Sequence, residues 1–230
     1  MWRDYNQNEK IEGVDDEMQL LMHSLFNSIQ KVTKNYLYWS ISEIEDENIP
    51  YVERAFAYEL YFQWNLNEDV ENTPLYKLRD KFKINAEIRK DLVENLTSIS
   101  SYSYPDMVLH GGNSSSNNYI VCEIKRKSTI RCNKDSLAKD INKLGFFLRR
   151  DLHLKYDVDW KEYKYGVFIL TDKYWGNKDF DLNPSDIANN IDFEDLEVDK
   201  SLYSHIICVL YNGKTLQYGN LGDIETTKNQ

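Results

Sequence analysis

One stretch constrains the fold more than any other: residues 163–170, YKYGVFIL, form an almost continuous apolar run. Such a run is typical of a strand buried on both faces, inside a sheet covered by helices. Ahead of it, residues 134–150 place four aliphatic side chains at helical spacing, and residues 118–125 are rich in β-type residues. The succession of strand, helix and strand predicts a parallel pair with a right-handed crossover, and therefore an α/β fold.

Three further helical segments are predicted. The first covers residues 16–37, and the second begins at Pro50, whose fixed φ suits a first helical turn, and ends near Asn65. The third is an acidic stretch at 184–198.

Turn residues predict two hairpins. The stretch GGNSSSNN joins strands at 104–110 and 118–125, and an Asn-Gly pair joins strands at 205–211 and 214–219. A weaker alternation predicts one more strand at 83–90. The expected architecture is thus a mixed central sheet flanked by helices.

The composition, 41% hydrophobic and 29% charged, excludes a mostly disordered chain and suits one main domain. We expect that domain to span 50–222, with an N-terminal helical extension at 1–49 packed on the core and a frayed tail at 223–230.

Neither a signal peptide nor a membrane span is expected, because no apolar stretch approaches the roughly 20 residues that a span requires. The three cysteines are odd in number and widely spaced, which favours buried free thiols over a disulfide or zinc framework. These features predict a cytoplasmic protein with no membrane partner.

A net charge of −10 argues at first against a nucleic-acid partner. Residues 121–155 depart from this balance, with ten basic and four acidic side chains and a local charge of +6. On the predicted helix, Lys139, Lys143 and Arg150 share the face opposite the apolar one, as does Phe146. That face is either simply solvated or contacts a nucleic-acid backbone, where Phe146 would stack on a base or pack.

The first hairpin predicts a pair of carboxylates. If the turn is centred on the middle of the connecting stretch, the strand register pairs Asp106 with Glu123 and His110 with Tyr119. Because side chains alternate along a strand, Lys125 lies on the same face as Glu123. The side chains expected on the other, apolar face are Met107, Leu109, Cys122 and Ile124.

Two carboxylates about 4 Å apart repel by about 4 kcal/mol at an effective dielectric constant of 20. A hard divalent cation with oxygen ligands, Mg²⁺ or Mn²⁺, would relieve this repulsion. The alternative for the same residues is a solvated strand face with an ordinary cross-strand ion pair.

The residues PDMVLH at 105–110, followed by a polar turn and by IVCEIK at 120–125, resemble the signature of the PD-(D/E)xK nuclease superfamily. The resemblance extends over about residues 50–172 and implies a restriction-endonuclease-like αβββαβ core. Members of this superfamily often carry an acidic residue on the helix before the sheet. Glu59 lies on the apolar stripe of that helix and matches this position, whereas Glu53 lies about 100° from the centre of the stripe and matches it less well.

The resemblance implies a metal-dependent phosphodiesterase, an endonuclease rather than an exonuclease, that hydrolyses DNA by attack of a metal-activated water. Asp106, Glu123 and Glu59 would be the metal ligands, with Mg²⁺ or Mn²⁺ as cofactor. Lys125 would be the catalytic lysine, although Lys127 offers an alternative on the same face.

The predicted substrate-binding residues are Lys127, Lys139, Lys143, Arg150 and His110. A single histidine at a strand end is also a common exposed turn residue. The sequence contains neither a phosphate-binding P-loop nor a Gly-x-Gly-x-x-Gly motif, which leaves nucleotide-driven chemistry without local support.

A second hypothesis is a catalytically silent nuclease-like domain that acts as a binding or assembly module in a defence or mobile-element complex. The acidic body of the chain and the lack of a separate base-reading motif favour it. Homo-oligomerisation is left open by the sequence, as are the choice between DNA and RNA and the sequence preference.

Overall fold

A computed structural model describes residues 1–33, 49–68, 82–86, 105–111, 117–126, 135–149, 161–171 and 187–228. The strands are β1 (Arg3–Asp4), β2 (Lys83–Ala86), β3 (Met107–His110), β4 (Asn118–Arg126), β5 (Tyr163–Thr171), β6 (Ile206–Tyr211) and β7 (Leu216–Asn220). The helices are α1 (Asp16–Lys31), α2 (Ile49–Glu68), α3 (Asp135–Leu148) and α4 (Leu221–Lys228), with a 3-10 helix at Lys200–His205.

In the described part of the chain, seven strands form one mixed sheet in the order β1-β7-β6-β5-β4-β3-β2. Strand β5 is parallel to both β4 and β6, and the outer pairs are antiparallel. The predicted α/β class and the parallel pair β4/β5 are therefore confirmed. Strand β1 lies at one edge, so residues 3–4 of the N-terminal segment belong to the same sheet.

Helices cover both faces of the sheet. On one face, α1 and α2 pack over the odd-numbered side chains of β3 and the even-numbered ones of β4, such as Met107 and Cys122. On the other face, which includes Val108 and Val121, α3 packs over β4 and β5, and α4 packs over β6 and β7. Successive residues of a strand point to opposite faces, so Glu123 and Lys125 lie on the side of Val121, beneath α3.

The first hairpin has the predicted register from Met107–Cys122 to Leu109–Ile120. An irregularity then shifts His110 to Asn118, so the predicted pairing of His110 with Tyr119 is wrong.

The second hairpin turns at Asn212-Gly213, as predicted, with Gly213 at φ +83°. The Asn212 side-chain oxygen accepts hydrogen bonds from the backbone N–H groups of Lys214 and Thr215, at 2.9 and 2.8 Å. A left-handed φ suits glycine because it lacks a Cβ.

The predicted frayed tail is wrong for residues 223–228, because residues 221–228 form a helix. Asn220 caps its N-terminus by accepting a 2.8 Å hydrogen bond from the backbone N–H of Asp223, and Leu221 and Ile224 are buried. The acidic stretch predicted to be helical is described from residue 187, and beyond one short turn of helix it forms turns and bends up to the 3-10 helix.

Cys122 and Cys208 are buried free thiols, as expected, whereas Cys132 lies outside the described residues. Among the described helices, none has the length and apolar character needed to cross a bilayer.

Candidate functional site

The fold brings the two predicted carboxylates together. Asp106 immediately precedes β3, and the register of the hairpin sets it across from Glu123. The backbone N–H of Ile124 donates a 2.7 Å hydrogen bond to Asp106 Oδ2, which holds this carboxylate against β4. The acidic pair is therefore a local consequence of strand pairing.

Helix α3 covers this part of β4, so the strand face predicted to be polar is not open to solvent: Glu123 is buried and Asp106 is half-buried. The Glu123 residue is 2% exposed, and burial, with Asp106 next to it, raises the pKa of its carboxyl well above the usual value. Burial also raises the pKa of Asp106, to about 6, although the hydrogen bond from Ile124 opposes the rise. One buried and one half-buried acid at the same point favour any group that supplies positive charge there.

Lys143 of α3 supplies such a charge. Its Nζ lies 2.6 Å from Glu123 Oε2, and the lysine side chain is 16% exposed. The prediction of one exposed basic face is wrong for Lys143, because the buried arc of α3 also includes Phe146 and Phe147 and so extends round to the lysine. Lys139 is exposed, as predicted, and Arg150 lies outside the described residues.

Lys125 contacts two other carboxylates. Its Nζ lies 3.0 Å from Asp140 Oδ2 on α3 and 3.9 Å from Glu53 Oε2 on α2. Burial lowers the pKa of Lys125, but Asp140 and Glu53 more than offset this, and the pKa lies above its ordinary value. The lysine therefore stays charged, held between the two helices.

Glu53, rather than Glu59, reaches the site. Glu53 Oε1 accepts a 3.2 Å hydrogen bond from the backbone N–H of Arg126, at the end of β4. Glu59 lies six residues farther along α2, about 9 Å along the axis and about 120° around it, and accepts a hydrogen bond from Gln63 instead. The predicted role of Glu59 as a metal ligand therefore has no geometric support.

Two other predicted residues do not meet the carboxylates. His110 is at the far end of β3 from Asp106, about 13 Å along the strand, and is hydrogen-bonded to Asn85 of β2. Lys127 lies outside the described residues.

Sequence reasoning missed Asp140 and ranked Glu53 below Glu59. A signal for Asp140 was present, since it lies three residues before Lys143 and helical spacing puts both on neighbouring positions of α3. With Glu53, Asp106, Glu123, Lys125 and Lys143, it completes a cluster of four acids and two lysines.

The described residues contain no group of three or more His, Cys, Asp or Glu side chains arranged to hold a metal ion. The pair Asp106 and Glu123 nevertheless fits Mg²⁺, which is commonly bound by one or two carboxylates and otherwise by water and phosphate oxygens. Glu123 Oε1 is buried and has no hydrogen-bond partner among the described residues, and such an atom is a suitable ligand for a cation.

A separate cavity of about 290 Å³ lies at the other end of β4 and β5. Its lining includes Asn118, Tyr163 and His205. It is about 16 Å along β4 from Glu123, so it is not part of the carboxylate cluster.

Comparisons with protein-family models, with curated proteins and with solved structures found no match to this chain. The resemblance to the PD-(D/E)xK superfamily therefore rests on the sequence motif at residues 105–110 and 120–125.

Proposed function

We propose that this protein is a Mg²⁺-dependent nuclease with a PD-(D/E)xK-type core that hydrolyses phosphodiester bonds in DNA. The observation that carries the proposal is the juxtaposition of Asp106 and Glu123 beneath α3, with Glu123 Oε1 buried and unpartnered. The order of the described elements supports it as well, because α2, β2, β3, β4, α3 and β5 follow the αβββαβ order of that superfamily.

In this proposal Asp106 and Glu123 are the residues that would hold the cation. When bound, Mg²⁺ supplies a Lewis acid for a phosphoryl oxygen and lowers the pKa of a water molecule. The hydrogen bond from the Ile124 N–H fixes Asp106, and the β4 backbone fixes Glu123, so both ligands are oriented before substrate arrives.

Lys125 is the proposed charge-stabilising residue. Asp140 and Glu53 hold its ammonium group on the same face of β4 as Glu123, two residues away along the strand. A fixed positive charge at this point would stabilise the negative charge that develops on a phosphate during hydrolysis.

The test is cleavage of plasmid, linear duplex DNA, single-stranded DNA and RNA by the purified chain, in Mg²⁺, in Mn²⁺ and in EDTA. We expect metal-dependent cleavage that is lost in Asp106→Ala, Glu123→Gln and Lys125→Met, with circular dichroism to verify that each variant is folded. Metal-dependent turnover retained by a folded Asp106→Ala variant would overturn the proposal.

A second candidate is the catalytically silent domain that acts as a binding or assembly module. It is favoured by the ion pairs that engage both key side chains, Glu123 with Lys143 and Lys125 with Asp140. For this candidate we expect a wild-type protein that cleaves none of the four substrates even in Mn²⁺. Cleavage that is lost in Asp106→Ala would exclude it.

A further inference from the structure

The contact between Lys143 and Glu123 carries a consequence for metal binding. The Lys143 Nζ is 2.6 Å from Glu123 Oε2, and the two side chains are 16% and 3% exposed. At this distance and burial, the ammonium group is the principal counter-ion of the carboxylate, and water screens the pair only weakly.

A divalent ion on Glu123 would then lie close to the ammonium group of Lys143. Like charges at contact distance repel strongly, more so where burial lowers the effective dielectric constant. Asp140 lies one helical turn before Lys143 on α3. The ammonium group of Lys143 is carried on a flexible four-carbon stem, and the side chain is partly exposed. Rotation of this stem can therefore carry the ammonium group towards solvent, away from Glu123.

We infer that Lys143 and a divalent cation are alternative counter-ions of Glu123, so that α3 blocks the metal site with its own charge until Lys143 moves away. The inference rests on the proposed function only in taking Asp106 and Glu123 as the cation ligands. It assigns Lys143 a regulatory role in metal loading, distinct from the phosphate contact predicted from the sequence.

The experiment measures Mn²⁺ binding to the full chain by electron paramagnetic resonance of the free ion. Lys143→Gln removes the charge but keeps a hydrogen-bond donor for Glu123, and Lys143→Arg keeps the charge. Lys139→Gln is the matched control, because it removes the same charge from an exposed position one turn away on α3.

We expect Lys143→Gln to bind Mn²⁺ about tenfold or more tightly than wild type, and both Lys143→Arg and Lys139→Gln to stay within about twofold of wild type. In the double variant with Glu123→Gln, the gain should disappear. An equal affinity in Lys143→Gln and Lys139→Gln, or a gain that persists without the Glu123 carboxylate, would overturn the inference.

Folding is a second readout, because loss of the lysine leaves a buried carboxylate without its counter-ion. We expect Lys143→Met to melt below wild type in EDTA and to recover in millimolar Mn²⁺. If both Lys143→Gln and Lys143→Met stay unfolded in Mn²⁺, the ion does not replace the lysine and the inference is wrong.

The outcome is separable from the nuclease assay. Tighter Mn²⁺ binding by Lys143→Gln without any cleavage, in that variant or in wild type, would refute the proposed function and leave the competition standing. Metal-dependent cleavage by wild type, with no change in Mn²⁺ affinity in Lys143→Gln, would support the proposed function and refute the competition between Lys143 and the cation.

Discussion

The backbone N–H of Ile124 donates a 2.7 Å hydrogen bond to Oδ2 of Asp106, so the residue before β3 is fixed to β4 one position beyond Glu123. This bond favours the ionised carboxylate, but burial acts in the opposite direction and dominates, which leaves the pKa of Asp106 at about 6. The strand pairing thus holds a carboxylate in a position where its charge lowers stability.

The first prediction follows from the sign of that shift. Because the folded-state pKa of Asp106 is raised from 3.8 to about 6, its contribution to stability is complete below about pH 3.8 and is lost as the pH rises through 6. Asp106→Asn cannot ionise and its side-chain oxygen still accepts the Ile124 N–H. In EDTA, we expect its free energy of unfolding relative to wild type to increase by about 2 kcal/mol from pH 4.5 to pH 7.5.

Urea denaturation at the two pH values measures this difference, with Asp195→Asn as a control at an exposed aspartate. A difference between Asp106→Asn and wild type that does not depend on pH would mean that Asp106 ionises in its ordinary range.

The hairpin was predictable because both of its determinants are local. Alternation of apolar and polar residues along β3 and β4 decides which side chains share a face, and the turn length decides which residues pair, so Asp106 and Glu123 were found together. The shift at His110 was not predictable, since an irregularity of one residue leaves the pattern of alternation before it unchanged.

The contributions of the helices were not predictable in the same way. Helical periodicity identifies an apolar stripe, but the position at which α2 crosses the sheet determines whether Glu53 or Glu59 meets β4. For α3, four aliphatic residues indicated the buried face, whereas Phe146 and Phe147 widened it until Lys143 pointed inward. Both outcomes depend on contacts between elements that are far apart in sequence.

The second prediction compares the two glutamates of α2. Glu53→Gln removes a charge 3.9 Å from Lys125 Nζ, while Glu59→Gln removes one whose hydrogen-bond partner is Gln63 on the same helix. We expect Glu53→Gln to reduce metal-dependent cleavage about tenfold, and Glu59→Gln to change it less than about twofold. Initial rates on plasmid DNA measure both, and a larger loss in Glu59→Gln would restore that residue to the site.

The third prediction concerns Asp140, which we describe as a positioning residue for Lys125. Asp140→Asn preserves shape but removes the carboxylate 3.0 Å from Lys125 Nζ, and should lower the free energy of unfolding by about 1–3 kcal/mol. Because Asp140 also contributes to the raised pKa of Lys125, the alkaline limb of the pH–rate profile should move to lower pH.

Asp140→Glu is the comparison, since it restores the charge on a longer side chain and should recover part of both effects. A variant Asp140→Asn that is less stable but has an unchanged pH profile would make Asp140 a structural residue only.

The last prediction tests what fixes the position of α3, and with it Asp140 and Lys143. A Cβ added at Gly145 would lie 2.8 Å from Val198 Cγ1 and closer still to Cγ2, so the helix approaches Val198 as closely as it does only because residue 145 is glycine. Gly145→Ala should gain up to about 1 kcal/mol from helix propensity, yet we expect a net loss of about 1–3 kcal/mol, because a branched side chain at 8% exposure has little space to move. Val198→Ala removes both Cγ atoms but keeps the Cβ, which would lie 3.1 Å from the added one, so in the Gly145→Ala background it should restore part of the stability, whereas in wild type it should only destabilise. Urea denaturation of the four proteins of this double-mutant cycle gives the coupling free energy between residues 145 and 198. Additive effects of the two substitutions on the free energy of unfolding would show that contact with Val198 does not set the position of α3.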